Sequence, residues 1–268
     1  MEHVHHALPH GWSIPYIALS FVIAALASYL SLEVASRAGQ RPTAAGNRKW
    51  LVAQAFGLGY GIWAMHFVGM LAFQVSAAVS YNLPLTILSG VAAVGLMYVA
   101  LLVLHGGPLK FPRLLGAGAL AGSGIVVMHY LGMYAFRVPG TAVSIAWGPF
   151  VGSVLIAVGA SMVAFYLFRL ISSTWSRGQT PLALMGLKVA AGLVMGLAIV
   201  SMHYTGMAAW HHQVVDGNLL YSSTGGADTD GLAIILSVVS ILLFSLTISA
   251  LAMDAVLVPQ SREKNSIP

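Results

Sequence analysis

The chain contains no cysteine, and its 12 Lys and Arg with 7 Asp and Glu make it only 7% charged. Without thiols it can form no disulfide, no thiolate metal centre and no covalently attached c-type haem. A soluble domain usually carries about a quarter charged residues, so the shortage of charge excludes an ordinary water-exposed surface. Too few carboxylates remain for a calcium or magnesium site, because those hard cations want oxygen ligands. The net charge of +5 is spread along the chain without a basic patch, which leaves nucleic-acid binding without a footing. No arrangement of residues reads as a catalytic set, and an enzyme is not expected.

What fills the chain instead is apolar: 58% of the 268 residues are hydrophobic. A helix needs about 20 apolar residues to cross the ~30 Å hydrocarbon layer. Seven runs qualify, near 14–36, 50–73, 84–104, 113–135, 147–170, 186–210 and 231–257. The first is too long for a cleaved leader, and its preceding segment has no basic residue. The expected fold is therefore all-α, an integral-membrane seven-helix bundle. Residues 1–258 would form one membrane domain and 259–268 a short cytoplasmic tail, with no cytoplasmic output domain. Eleven of the twelve Lys and Arg fall after the odd-numbered helices or beside those ends, with Arg137 on the other side. Cytoplasmic loops retain basic residues, so the N-terminus should lie outside and the C-terminus in the cytoplasm of a bacterial inner membrane.

Within these spans one pattern returns three times: WAMHFVGM at 63–70, VMHYLGM at 127–133 and SMHYTGM at 201–207. His66, His129 and His203 are 63 and 74 residues apart, about two helices and their loops. The chain thus reads as three two-helix repeats plus a final helix, and units of two helices keep one orientation in the membrane. All three motifs end an even-numbered helix and should lie at one depth near the outer face. Eleven and seven residues before the histidines stand Ala55 and Gly59, Gly118 and Gly122, Gly192 and Gly196. Small residues at this spacing permit close helix approach, so helices two, four and six are expected to pack together along that face. Gly69, Gly132 and Gly206 inside the motifs leave further room beside the histidines.

Residues four apart share a helix face. That pairs His66 with Met70, His129 with Met133 and His203 with Met207. Met65, Met128 and Met202 precede the histidines and line the same volume from its flank or pack elsewhere. Imidazole with thioether favours soft or borderline metals, and methionine points to copper, above all Cu(I). Nine potential ligands exceed the need of one ion, so either two ions bind or several methionines only pack. Membrane histidines are functional candidates by default, and interhelical hydrogen bonding is the structural alternative.

GYGIWAMHFVGMLAF at 59–73, GIVVMHYLGMYAF at 124–136 and SMHYTGMAAW at 201–210 resemble the three repeats of the bacterial MHYT domain, an integral-membrane sensor module. The stretches at 18–37 and 81–90 are similar to its other helices. The resemblance implies a copper site near the outer face, responding to oxygen, carbon monoxide or nitric oxide. Its ligand candidates are Met65, His66, Met128, His129, Met202 and His203, with Met70, Met133 and Met207 beside them. Phe67 replaces the tyrosine of Tyr130 and Tyr204, which argues against a phenol ligand. Many relatives join this module to cyclic-di-GMP, kinase or DNA-binding domains, so a separate cytoplasmic signalling protein is the expected partner here. Copper transport or a copper chaperone is the alternative function, although no line of ligands continues inward from the motif. A membrane haem oxidoreductase ranks below it.

Other polar residues fit lesser parts. His3, His5, His6 and His10 could collect copper, and His211 and His212 open a long outer loop, 211–230, where they should be solvated. Glu33 and Arg37 are spaced as a helix pair, and Asp254 lies at a similar depth. Trp12, Trp147, Trp175 and Trp210 sit where indole rings anchor helices at the membrane boundary.

Overall fold

In the computed structural model, residues 9–38, 44–171, 173, 178–215, 231, 238, 240, 241, 244, 245, 248 and 249 are described. Six long helices carry the fold: α1 (Ile14–Ala38), α2 (Ala44–Leu71), α3 (Leu83–His105), α4 (Phe111–Ala135), α5 (Trp147–Ile171) and α6 (Pro181–Met207). All six are long and apolar enough to cross a membrane. Their exposed side chains include Ile87, Val91, Leu155 and Leu182, the kind of outer surface that lipid would cover. Of the expected seventh span, only eight isolated residues from Gly231 to Ser249 are described, each helical. The tail at 259–268, Asp254, Trp175, His3, His5 and His6 lie outside the described residues.

The helices form a ring in chain order, with α1 closing against α6. The even helices α2, α4 and α6 also touch one another, so they form an inner triangle and the odd helices brace it from outside. Glycines hold this arrangement together, though differently from the sequence expectation. A side chain at Gly59 would meet the backbone of Val94 on α3, one at Gly122 the backbone of Val158 on α5, and one at Gly196 the backbone of Ala25 on α1. Gly118 and Gly192 likewise face Met162 on α5 and Tyr29 on α1. The small-residue faces therefore seat each even helix on the odd helix of the next repeat, where the two backbones nearly touch.

Six short strands were not anticipated. β1 (His10–Trp12) pairs with β2 (Phe73–Val75), β3 (Ser80–Tyr81) with β4 (Phe136–Arg137), and β5 (Thr141–Ile145) with β6 (Trp210–Val214), all antiparallel. Each pair joins the chain entering an odd helix to the chain leaving the following even helix. The amides of Ser13, Asn82 and Ala146 donate to the carbonyls of Ala72, Ala135 and Ala209 at 2.8–2.9 Å, once per repeat. The repeat unit is thus strand, helix, helix, strand, spanning 10–75, 80–137 and 141–214. Hydrogen-bonded pairing satisfies backbone groups that would otherwise be stranded where the helices end. All three sheets cap the motif-bearing end, and Arg48, Lys49, Lys110, Arg113 and Arg169 lie toward the other.

One polar contact has no counterpart in the other two repeats. Lys188 on α6 is buried and donates to Glu33 on α1 at 2.6 Å and to Ser36 Oγ at 2.9 Å. Glu33 therefore pairs across the seam between the first and third repeats. The equivalent positions on α2 and α4, fifteen residues before the histidine, are Leu51 and Leu114.

Gly196→Ala should destabilise the protein in detergent by about 1–3 kcal/mol through overpacking. Gly186→Ala, where a Cβ meets nothing within 4 Å, should leave it unchanged or raise stability by up to about 1 kcal/mol through helix propensity. Glu33→Gln strands the Lys188 ammonium and should cost about 3–5 kcal/mol, more than Glu33→Gln combined with Lys188→Met. Chemical unfolding followed by helix ellipticity measures all four.

A candidate metal centre of three histidines

Each motif lies in the last turns of α2, α4 or α6, so the inner triangle brings His66, His129 and His203 to one level. All three are buried, at 0–1% exposure. Their ring centroids are 4.9, 5.0 and 5.2 Å apart and their planes cross at 76–85°, close to threefold symmetry. The Nδ1 atoms turn inward: His66 Nδ1 lies 3.1 Å from His203 Nδ1 and 3.2 Å from His129 Nδ1. Among the described residues this is the group of His, Asp and Glu side chains that could hold a metal, with one ligand atom from each within 4.8 Å of the others.

The outer edges of the rings explain the motif glycines. A Cβ on Gly132 would overlap Nε2 of His66, one on Gly206 would overlap Nε2 of His129, and one on Gly69 would overlap Nε2 of His203. Each helix therefore gives up a side chain so that the Nε2 edge of its neighbour's imidazole can approach its backbone, in the cycle α2 to α4 to α6 to α2. The room the motif glycines make is beside the next helix's histidine rather than their own. Each Nε2 is buried without a hydrogen-bond partner.

The inward Nδ1 atoms, not these outer Nε2 atoms, have a spacing that suits a metal ion. Three imidazole nitrogens held at the ~2.0 Å usual for such bonds stand about 3.3–3.5 Å apart around one ion, and the two inward separations fall just below that. Two nitrogen lone pairs this close repel unless a proton or a cation lies between them, and one central cation serves all three. Ring spacings near 5 Å leave no opening for a porphyrin between the histidines.

The methionines divide into two groups. Met65, Met128 and Met202 join the main apolar core, whereas Met70, Met133 and Met207 join a second cluster toward the cap with Phe67, Tyr81 and Phe136. All six are buried. One turn inward from the histidines, at the equivalent position of each even helix, stand Ile62, Ile125 and Ile199, so no ligand side chain continues the column on that face.

The residue after each histidine braces the triangle. Tyr130 OH lies 2.8 Å from Ser153 Oγ on α5, and Tyr204 OH lies 3.3 Å from Ser20 Oγ on α1. Phe67 has no hydroxyl, and Ser89 Oγ at the matching place on α3 instead accepts from Trp63 Nε1 at 3.0 Å. Trp63 stands one turn before Phe67, where the other repeats have Val126 and Val200. The same interhelical bond is made three times by different means, which gives the tyrosines a bracing task away from the imidazoles' inward edges. No sequence signal singled out the three serines, because serine is common in membrane helices.

At the cap, His10 lies exposed in β1 and His211 is exposed in β6. His212 is buried rather than solvated. Its Nδ1 lies 3.1 Å from Thr141 Oγ1, its ring packs on Phe136, and burial lowers its pKa below the usual imidazole value. The pairing of β6 with β5 causes this, since alternate strand residues face inward. Trp12 and Trp147 are exposed near the ends of α1 and α5, as expected of boundary anchors.

Three tandem units around a buried histidine triangle define a multi-pass membrane repeat protein. The family model for the bacterial signalling protein N-terminal repeat, MHYT, matches residues 59–117 and 122–181, and the chain belongs to this family. It is 39% identical over 244 residues to the bifunctional diguanylate cyclase/cyclic di-GMP phosphodiesterase MucR of Pseudomonas aeruginosa, covering 89% of this chain and 33% of that protein. It is 38% identical over 200 residues to the cyclic di-GMP phosphodiesterase NbdA of the same organism, covering 74% of this chain and 24% of that one. Signaling protein YkoW of Bacillus subtilis is 36% identical over 196 residues, 72% of this chain and 23% of its own length. The chain thus spans a third or less of these relatives. No solved structure matches it.

Replacing Tyr130 by Phe, or Trp63 by Phe, should each lower stability by about 1 kcal/mol, the net worth of one hydrogen bond. Spectra sensitive to the histidine environment, such as the imidazole 15N shifts, should change little. A collapse of those shifts in Tyr130→Phe would place the phenol at the centre instead.

Proposed function

We propose that this chain is a membrane sensor module in which His66, His129 and His203 hold one copper ion through their Nδ1 atoms, near the outer face of a bacterial inner membrane. The observation that carries the reading is the inward convergence of three buried imidazoles, with His66 Nδ1 3.1 Å from His203 Nδ1 and 3.2 Å from His129 Nδ1. Methionine thioethers from Met70, Met133 and Met207, or from Met65, Met128 and Met202, complete the ligand set and favour Cu(I), a soft ion. The basic residues gathered opposite the cap support an outside position for the motif.

Copper in this place offers a coordination site to oxygen, carbon monoxide or nitric oxide, or reports the supply of copper itself. Any of these would act by favouring one packing of α2, α4 and α6 over another, which requires the two packings to differ in ligand affinity. The relatives named for cyclic di-GMP turnover suggest that the change is read on the cytoplasmic side by a signalling protein. No catalytic step is assigned to this chain. The apolar layer of Ile62, Ile125 and Ile199 disfavours the transport alternative, since a charged ion would find no ligand there.

Untagged protein purified from copper-supplemented cells should carry about one copper per chain, as expected of a single three-histidine centre. His66→Ala, His129→Ala and His203→Ala should fold and lose it. Gly132→Ala keeps every ligand but pushes His66 aside, and should weaken copper by about 10–100-fold, the usual penalty for disturbing a ligand's surroundings. Absorption spectroscopy at the copper edge counts nitrogen and sulfur neighbours. If parent and variants all fold and none carries metal under reducing conditions, the copper reading fails.

A further inference from the structure

Away from the histidine triangle, the outer seam between α2 and α3 carries an open groove in two adjoining sections. The section nearer the cap is apolar, with Phe56, Tyr60 and Trp63 of α2 facing Gly90, Val94 and Gly95 of α3. The other is basic: Arg48 and Lys49 stand there with Val52, and Tyr98 of α3 lies across from them. Val52 is one helical turn farther from the cap than Phe56, and Tyr98 three residues farther than Gly95, so the sections run into each other. Phe56 and Tyr60 stack at 5.8 Å, and Tyr60 and Trp63 lie 5.5 Å apart, which makes the α2 wall continuous and aromatic.

The three-repeat plan does not require this groove. Aligned on the histidines, Arg48, Lys49 and Tyr60 correspond to Phe111, Pro112 and Ser123 on α4, and to Met185, Gly186 and Leu197 on α6. Aligned on the bracing serines, Gly90 corresponds to Val154 on α5 and Phe21 on α1. The seam of α2 with α3 thus gives up a side chain at Gly90, where a Cβ would press on the Trp63 indole at 3.2 Å, and gains charge and aromatic rings opposite.

What fits is set by length and charge. From Val52 to Trp63 the groove runs about 16 Å at 1.5 Å per residue, close to one leaflet of a ~30 Å hydrocarbon layer. Exposed Ile87 and Val91 flank it, so hydrocarbon enters laterally from the bilayer. Arg48 and Lys49 are exposed at its mouth, and Glu33, the one carboxylate among the described residues, is taken by Lys188. Among the described residues the two cations therefore meet no anion. They call for a phosphate, which a guanidinium meets with paired hydrogen bonds and an ammonium as a point charge. A flat uncharged ring system in the groove would leave them unanswered.

We infer that the groove between α2 and α3 is a binding site for one anionic glycerophospholipid, with its phosphate on Arg48 and Lys49 and one acyl chain along Phe56, Tyr60 and Trp63. The lipid belongs to the leaflet on the basic side, which the orientation proposed above makes the cytoplasmic one; nothing else in the inference rests on that reading. Basic pockets between membrane helices on that side hold head groups of this kind. The acyl chain meets Trp63, whose bond to Ser89 braces α2 against α3, so the lipid bears on the helix that carries His66.

The test uses the full chain in nanodiscs of phosphatidylglycerol and phosphatidylcholine, mixed equally and with identical chains, and native mass spectrometry counts the lipid that stays bound on release. The parent should retain one phosphatidylglycerol with a preference of about 10–30-fold over phosphatidylcholine, the attraction expected of two basic residues. Arg48→Gln with Lys49→Gln should abolish that preference. Lys110→Gln with Arg113→Gln removes as much charge from residues that line neither section, and should leave it intact. Gly95→Leu should fill the apolar section and displace the lipid; a Cβ there meets nothing within 4 Å, and α1 carries Leu26 at the matching place. Helix ellipticity checks the fold, and should the Arg48 and Lys49 double variant not fold, Arg48→Gln alone should lose about fivefold. Equal retention of both lipids by the parent, a preference lost equally in Lys110→Gln with Arg113→Gln, or full retention in folded Gly95→Leu overturns the inference. A lipid-free dimer, the sign that a second copy covers the groove, overturns it too. Copper content of the same preparations reports on the metal centre alone.

Discussion

The structure depends on the interlock between each histidine and the glycine of the next inner helix. An imidazole is too wide to fit between two helices that both carry side chains at the crossing. The chain solves this by placing glycine three residues after every histidine, so that Gly132, Gly206 and Gly69 receive the rings of His66, His129 and His203 in turn. The contact is cyclic, and no inner helix can move along or about its axis without displacing a ring that another helix also holds. A perturbation at any one histidine is therefore felt by three helices. Such mechanical coupling is what a module needs if a small event in the membrane is to reach the other side.

Around that interlock the threefold plan is kept where it serves and broken where the seam must be specified. The glycine seats, the capping sheets and the serine braces recur in every repeat, and even the loss of a tyrosine at Phe67 is made good by Trp63 reaching the equivalent Ser89. The Lys188–Glu33 pair does not recur. It lies on the seam between the first and third repeats, where α6 meets α1 and the ring must close. A buried charge pair contributes little net stability against apolar packing, but it penalises every arrangement that separates the partners. Its worth lies in selecting this closure over an open or shifted ring.

Much of this was legible in the sequence because its signals are periodic and strong. Hydrophobic runs gave six spans, with the starts of α2 and α6 placed six and five residues late, and the repeated Met-His-x-x-Gly-Met placed all three histidines together. Two features were misread for definable reasons. The glycine faces at Gly59, Gly122 and Gly196 proclaim close packing without naming the partner, and helices two, four and six seemed natural partners until the odd helices proved to fill those seats. The cap strands are two to five residues long and pair across 55 to 73 residues of chain, so no local pattern announces them. His212 shows the consequence. Read as part of a loop it should be wet, yet strand alternation in β6 turns it inward, where Phe136 and Thr141 cover it.

Chemistry along the pseudo-threefold axis changes in steps rather than gradually. Capping strands come first, then a layer with Met70, Met133 and Met207, then the imidazoles, then three isoleucines and the closed apolar interior. Soft ligands thus face the capped end, and hydrocarbon faces the membrane interior. An ion held at the imidazole layer would have thioethers on the capped side, while the isoleucine layer on the other would offer it nothing in exchange for the bonds it would lose. The histidine layer therefore sits at the boundary between a layer of donor side chains and a layer of hydrocarbon.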